Sequence, residues 1–167
     1  DEIWVTGNLG ESAIGLAIRE KKIRLNYEFK KYFLKKYLFP THCSIGYLIG
    51  RLITSAVDIS DGLIGDLENL LNDKKFGASI YSSLIPFSLR ANQLIREKIV
   101  NFRYLMTSGD DYELLFTANP DKSKKIKNIA RDNNIKITKI GRIIAKQGVH
   151  IDSKIIKNIN NSYQHFS

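Results

Sequence analysis

Apolar residues fall at two different spacings along this chain of 167 residues, and the change from one spacing to the other delimits its elements. Residues 3–6, Ile-Trp-Val-Thr, predict a strand that stops at Gly7, followed by a turn over 8–12. Residues 13–20 then carry Ile14, Leu16, Ala17 and Ile18 at helical intervals. A second helical segment holds Tyr27, Phe29, Tyr32, Phe33, Leu34, Tyr37 and Leu38, and it ends near Pro40, which disfavours helix at Phe39. Its aromatic stripe reads as core. Ser44 is placed to cap a third helix through Leu52, and residues 55–59 predict a short buried strand.

From Ser60 the spacing becomes helical again, with Leu63, Ile64, Leu67, Leu70 and Leu71 on one face. Asp61 and Asp66 sit toward the start of that helix and Lys74-Lys75 at its end, as the helix dipole favours, and Gly77 closes it. Residues 78–81 predict a strand, and Ser88 opens a helix reaching about residue 98. Residues 112–117 alternate as a strand, 121–132 form a basic amphipathic helix after Pro120, and 136–143 and 149–151 are further strands. Strands and helices interleave with no repeat, low-complexity tract or linker. The expected architecture is therefore a single domain over 1–167 of layered α+β or α/β type, a mixed sheet flanked by helices. The aromatic helix and the helix after Ser60 are expected to be its main packing elements. The tail, 158–167, is polar yet carries Tyr163, His165 and Phe166.

Composition narrows the classes of function. One cysteine, Cys43, rules out an internal disulfide and a cysteine-based zinc cluster, and three scattered histidines do not restore one; His42 beside Cys43 has no metal-site partner in sequence. No apolar run approaches the roughly twenty residues needed to cross a bilayer, so the chain reads as cytoplasmic. It opens without Met, directly on a strand, which suggests an upstream part. The net charge of +9 admits nucleic acid, a membrane surface or anionic small molecules as partners. The lysines, however, come singly or in pairs with apolar residues between them, which is the pattern of a solvated helix face.

Two acidic motifs carry the candidate chemistry. In Val57-Asp58-Ile59-Ser60-Asp61-Gly62, two carboxylates flank a hydroxyl where a strand runs into a helix, and free helical N–H groups there suit a phosphate. Magnesium takes oxygen ligands, usually one or two carboxylates plus substrate phosphates, so Asp58 and Asp61 form a candidate pair. Ser60 could serve a nucleotide phosphate or the helix's own N–H groups, and Ser60 with Asp61 could equally be a plain helix cap. In Ser108-Gly109-Asp110-Asp111-Tyr112-Glu113, three carboxylates crowd one turn, which is unfavourable without a cation or donors nearby. An acidic turn facing water is the alternative, and Tyr112 reads as a packing residue. The chain has no GxxxxGK[ST] loop and no GxGxxG.

These motifs, extended as Ala56-Val57-Asp58-Ile59-Ser60-Asp61-Gly62-Leu63 and Ser108-Gly109-Asp110-Asp111-Tyr112-Glu113-Leu114, with Val5-Thr6-Gly7 and Ser12-Ala13-Ile14-Gly15-Leu16, resemble the thiamine-monophosphate kinases of the aminoimidazole ribonucleotide synthetase-like superfamily. The likeness covers essentially the whole chain and corresponds to the C-terminal half of such an enzyme, its N-terminal domain being absent. It implies ATP-dependent phosphorylation of thiamine monophosphate to thiamine diphosphate, with magnesium and with ATP as co-substrate, in a full-length homodimer. By motif position it implies that Asp58 and Asp61 bind magnesium, that Ser60 contacts ATP, and that Asp110 and Tyr163 contact the thiamine substrate. No side chain need act as a nucleophile, because the attacking oxygen belongs to the substrate phosphate. Two departures stand out: Pro40-Thr41-His42-Cys43 lacks an arginine the family commonly has, and Glu11 replaces a usual aspartate. A fragment of this kind is expected to be inactive by itself. The alternatives are another ATP-dependent branch of the same superfamily, and a basic nucleic-acid-binding module.

Overall fold

The computed structural model describes residues 1–40, 45–71 and 75–155. Seven strands, β1 (Glu2–Thr6), β2 (Ser55–Asp58), β3 (Gly77–Ile80), β4 (Leu114–Ala118), β5 (Ile137–Ile144), β6 (Gly148–Ile151) and β7 (Lys154–Ile155), form one sheet in the order β2-β4-β1-β5-β3-β6-β7. Only β3 and β6 pair in parallel; the other neighbours are antiparallel, so the sheet is mixed, as expected. Among the described residues seven α-helices accompany it: α1 (Glu11–Arg19), α2 (Tyr27–Leu38), α3 (Ile45–Ile49), α4 (Leu63–Leu70), α5 (Leu89–Arg96), α6 (Phe102–Thr107) and α7 (Ser123–Asp132).

Side chains alternate across a strand, and β1 shows why its whole run is apolar. Ile3 and Val5 face one layer, where they meet Ile14 of α1, Leu63, Ile64 and Leu67 of α4, Leu94 of α5 and Leu105 of α6. Trp4 faces the other and stacks on Phe116 of β4 with ring centroids 6.3 Å apart, over Ile45 and Ile49 of α3 and Ile126 and Ala130 of α7. Each fully buried aliphatic side chain contributes about 1.5–3 kcal/mol, so both faces of the central strands hold the sheet rigid behind the ends of β2 and β4.

Several expectations change. The strand over 55–59 is not buried: β2 lies at a sheet edge, with Ala56 and Asp58 exposed, because only β4 pairs with it. The helix after Ser60 begins at Leu63 rather than Ser60, since the backbone at Ser60 and Asp61 is tied to Asp66 before the helix starts. Gly77 opens β3 instead of closing that helix, and Lys74 lies outside the described residues. The aromatic stripe of α2 is core only in part, with Phe33 fully buried but Tyr27 72% exposed, because the helix packs on α1 along one side. α3 ends at Ile49, short of Leu52, and its expected cap Ser44 lies outside the described residues. The six residues of α6 and two of β7 are too short for a periodic signal. Among the described residues no helix is long and apolar enough to cross a membrane.

Candidate active site

The two acidic motifs meet at one end of the β2–β4 pair. Asp58 stands opposite Leu114 in the ladder, and beyond it the Ile59 N–H donates to Glu113 O at 2.8 Å. The Tyr112 N–H then donates to Ile59 O at 2.9 Å, and the Asp110 N–H to Ser60 O at 3.0 Å. Two glycines permit this closeness. A Cβ on Gly109 would lie 1.8 Å from Ser60 O, and one on Gly62, at φ +98°, would lie 2.7 Å from the carbonyl carbon of Thr107. A side chain at either position would prise the motifs apart.

In the first motif Asp58 and Asp61 are exposed and Ser60 is half-buried. Neither carboxylate has a hydrogen bond or ion pair with another described residue. The backbone between them is held from behind: buried Asp66 accepts from Ser60 N–H at 2.9 Å and from Asp61 N–H at 2.8 Å through the same Oδ2. Ser60 is therefore not the cap of α4, which is Gly62, and the N–H groups of Ser60 and Asp61 are taken by Asp66. The Ser60 hydroxyl and the two carboxylates make no hydrogen bond to another described residue. Burial raises the pKa of Asp66, against the lowering effect of these backbone N–H groups.

In the second motif every carboxylate has at least one donor, which relieves the crowding. Asp111 turns inward and accepts from Gly10 N–H at 2.6 Å and from Ser12 N–H at 3.3 Å, closing the N-terminus of α1. Its carboxyl group is pushed up to about 7 by burial, with the two backbone bonds opposing. Glu113 accepts from the Thr6 hydroxyl, which itself accepts from Leu114 N–H at 2.8 Å, and burial raises its pKa as well. Asp110 turns outward and accepts from the Tyr112 hydroxyl at 3.3 Å. Asp110 and Tyr112 hold left-handed backbone at φ +66° and +51°, which costs an L-residue about 1–2 kcal/mol.

Behind this turn Glu11 is buried, accepts from the Tyr32 hydroxyl at 2.6 Å and pairs with Lys36 Nζ at 3.3 Å. Burial first, then the Glu11 carboxylate, pushes the Tyr32 phenol up to about 12. The departure at Glu11 is thus absorbed by a local polar network from α2. Tyr32, Lys36 and Asp66 support the two corners from behind, a role that no sequence pattern indicated. His150 is a buried residue of β6 whose Nε2 lies 2.9 Å from Gln147 O, away from any such role. Tyr163, His42 and Cys43 lie outside the described residues.

The donor set fits a hard divalent cation held jointly with phosphate. Asp58 and Asp61 offer oxygen only, carry no counter-charge among the described residues, and leave the remaining coordination to be filled from outside. No group of three or more His, Cys, Asp or Glu side chains among the described residues could hold a metal ion alone. Magnesium usually keeps water and binds through one or two carboxylates plus substrate phosphates.

Residues 1–154 match the family model described as AIR synthase related protein, C-terminal domain. A curated thiamine-monophosphate kinase of Buchnera aphidicola subsp. Schizaphis graminum is 39% identical over 173 residues, covering 99% of this chain and 53% of that protein. Among solved structures, thiamine-monophosphate kinase from Stenotrophomonas maltophilia K279a superposes with a TM-score of 0.82 at 30% identity, covering 93% of this chain and 51% of that one. AaThiL complexed with AMPPCP and TMP superposes with a TM-score of 0.80 at 26% identity, covering 95% and 49%. The chain spans about half the length of the curated relatives it matches.

Proposed function

The chain belongs to the AIR synthase related protein family, as its C-terminal domain, and on that premise we propose that it forms the C-terminal half of a cytoplasmic, homodimeric thiamine-monophosphate kinase. The reaction transfers the γ-phosphoryl group of ATP to a phosphate oxygen of thiamine monophosphate, giving thiamine diphosphate and ADP. The missing half of the site comes from an N-terminal domain.

One observation carries this reading: the two acidic motifs are hydrogen-bonded to one another, backbone to backbone, at Asp110–Ser60 and Tyr112–Ile59. An outward-facing carboxylate pair, a hydroxyl and a third carboxylate are thereby gathered at one end of a rigid sheet. Relatives named as thiamine-monophosphate kinases, and a neighbour solved with AMPPCP and TMP, support the choice of substrates.

In this mechanism the protein binds and aligns. Asp58 and Asp61 hold magnesium, the Ser60 hydroxyl contacts the ATP phosphates, and Asp110 with Tyr163 contacts the thiamine substrate. Magnesium, when bound, neutralises charge that accumulates on the phosphates during transfer. Asp66 keeps Ser60 and Asp61 at fixed positions, so little reorganisation is needed when ATP arrives. The Asp58→Asn/Asp61→Asn double variant of the full-length polypeptide tests the reading through formation of thiamine diphosphate. The expected outcome is a loss of turnover of about a hundredfold or more; undiminished turnover removes both carboxylates from the site.

A further inference from the structure

Three carboxylates are buried among the described residues, those of Glu11, Asp66 and Asp111. Glu11 has a cation, Lys36 Nζ at 3.3 Å, whereas neither aspartate makes an ion pair with a described residue. Each aspartate is matched instead by two backbone N–H groups. Taking a carboxylate out of water without a cation is unfavourable, and an apolar side chain of similar volume would avoid that penalty. Packing alone therefore gives no reason for either one.

The two anchors stand behind different corners. Asp66, on α4, takes the Ser60 N–H at 2.9 Å and the Asp61 N–H at 2.8 Å through one oxygen, so it fixes the peptide that joins the ATP-contacting hydroxyl to a magnesium ligand. Asp111 takes the Gly10 N–H at 2.6 Å and the Ser12 N–H at 3.3 Å at the start of α1, and so fixes the residue before it, Asp110. We propose that Asp66 and Asp111 are positioning residues dedicated to different substrates: Asp66 sets the corner that takes ATP and magnesium, and Asp111 sets Asp110 for thiamine monophosphate. The proposal rests on the kinase reading and deepens it. The Asp110 N–H donates to Ser60 O at 3.0 Å and joins the corners, yet each keeps its own anchor when the other's is lost. A contacting group held in place beforehand loses little freedom when its ligand arrives, so loss of one anchor weakens one substrate.

Steady-state kinetics of the full-length polypeptide, with thiamine monophosphate and ATP varied separately, test this. Asp66→Asn and Asp111→Asn keep the side-chain shape and leave one acceptor oxygen for two N–H donors. Asp66→Asn is expected to raise KM for ATP about three- to tenfold and to leave KM for thiamine monophosphate within about twofold; Asp111→Asn is expected to do the reverse. Should either variant fail to fold, Asp66→Glu and Asp111→Glu keep the carboxylate but shift it by one methylene, and the same crossed pattern is expected. Unchanged KM values in either folded variant overturn the proposal. So does a rise in both KM values alike, which is the signature of a purely structural residue, or a rise for the wrong substrate. If the wild-type polypeptide itself forms no thiamine diphosphate, the kinase reading fails and this proposal falls with it; an active wild type without the crossed pattern overturns this proposal alone.

Discussion

The corner at Asp58–Asp61, with two carboxylates, and the corner at Asp110–Glu113, with three, treat their charges in opposite ways. In the first, Asp58 and Asp61 face solvent with no described partner, and the supporting role falls to Asp66, five and six residues further along the chain from the amides it accepts from. In the second, every carboxylate has a donor: Asp111 from Gly10 and Ser12, Glu113 from Thr6, Asp110 from Tyr112. Carboxylates left bare at the end of a rigid sheet are available to a cation, whereas buried and hydrogen-bonded ones are fixtures. Sequence proximity of acids therefore does not itself define a metal site; the donors reaching each acid do.

The largest effect expected from this contrast is on stability. Asp111→Ala leaves two buried amides at the start of α1 unpaired and should cost about 2–4 kcal/mol in urea denaturation, whereas Asp58→Asn should stay within about 0.5 kcal/mol. Comparable costs for the two substitutions would break the comparison.

A second effect is expected with pH. Asp111 titrates at about 7 in the fold against 3.8 for an ordinary aspartate. Between those values the folded chain holds a proton that the unfolded chain has released. Its contribution to stability is therefore full below about pH 4 and is lost as pH rises through about 7. Glu113 and Asp66 are shifted in the same direction and add to the slope. Unfolding free energy should fall from pH 4 to 7, and Asp111→Asn should flatten that fall; an identical slope in the variant would show that the burial of Asp111 is not its source.

Much of the fold was legible because its long elements are strongly periodic. α7, with Ile126, Ile129 and Ala130 turned inward, and β5 follow the sequence pattern within a few residues. The edge position of β2 was not legible, since Ser55-Ala56-Val57-Asp58 reads the same whether one neighbour or two will pair with it. The convergence of the two motifs followed from the resemblance; the means of convergence did not. Gly109 against Ser60, and Asp111 on Gly10, join positions about fifty and a hundred residues apart, and no local pattern encodes such contacts. Tyr112 has left-handed backbone and lies before β4, so the strand begins at Leu114 rather than at Tyr112 as its alternation suggested.

The central claim is that the two corners are one cation-and-polyphosphate site. Its most direct test is a titration of isotopically labelled chain with substoichiometric manganese(II) and a non-hydrolysable ATP analogue, followed by paramagnetic broadening of backbone amides. The expected result is joint broadening of residues 58–61 and 109–112, abolished by the Asp58→Asn/Asp61→Asn substitutions; broadening confined to one motif, or persisting unchanged in the double variant, would contradict it.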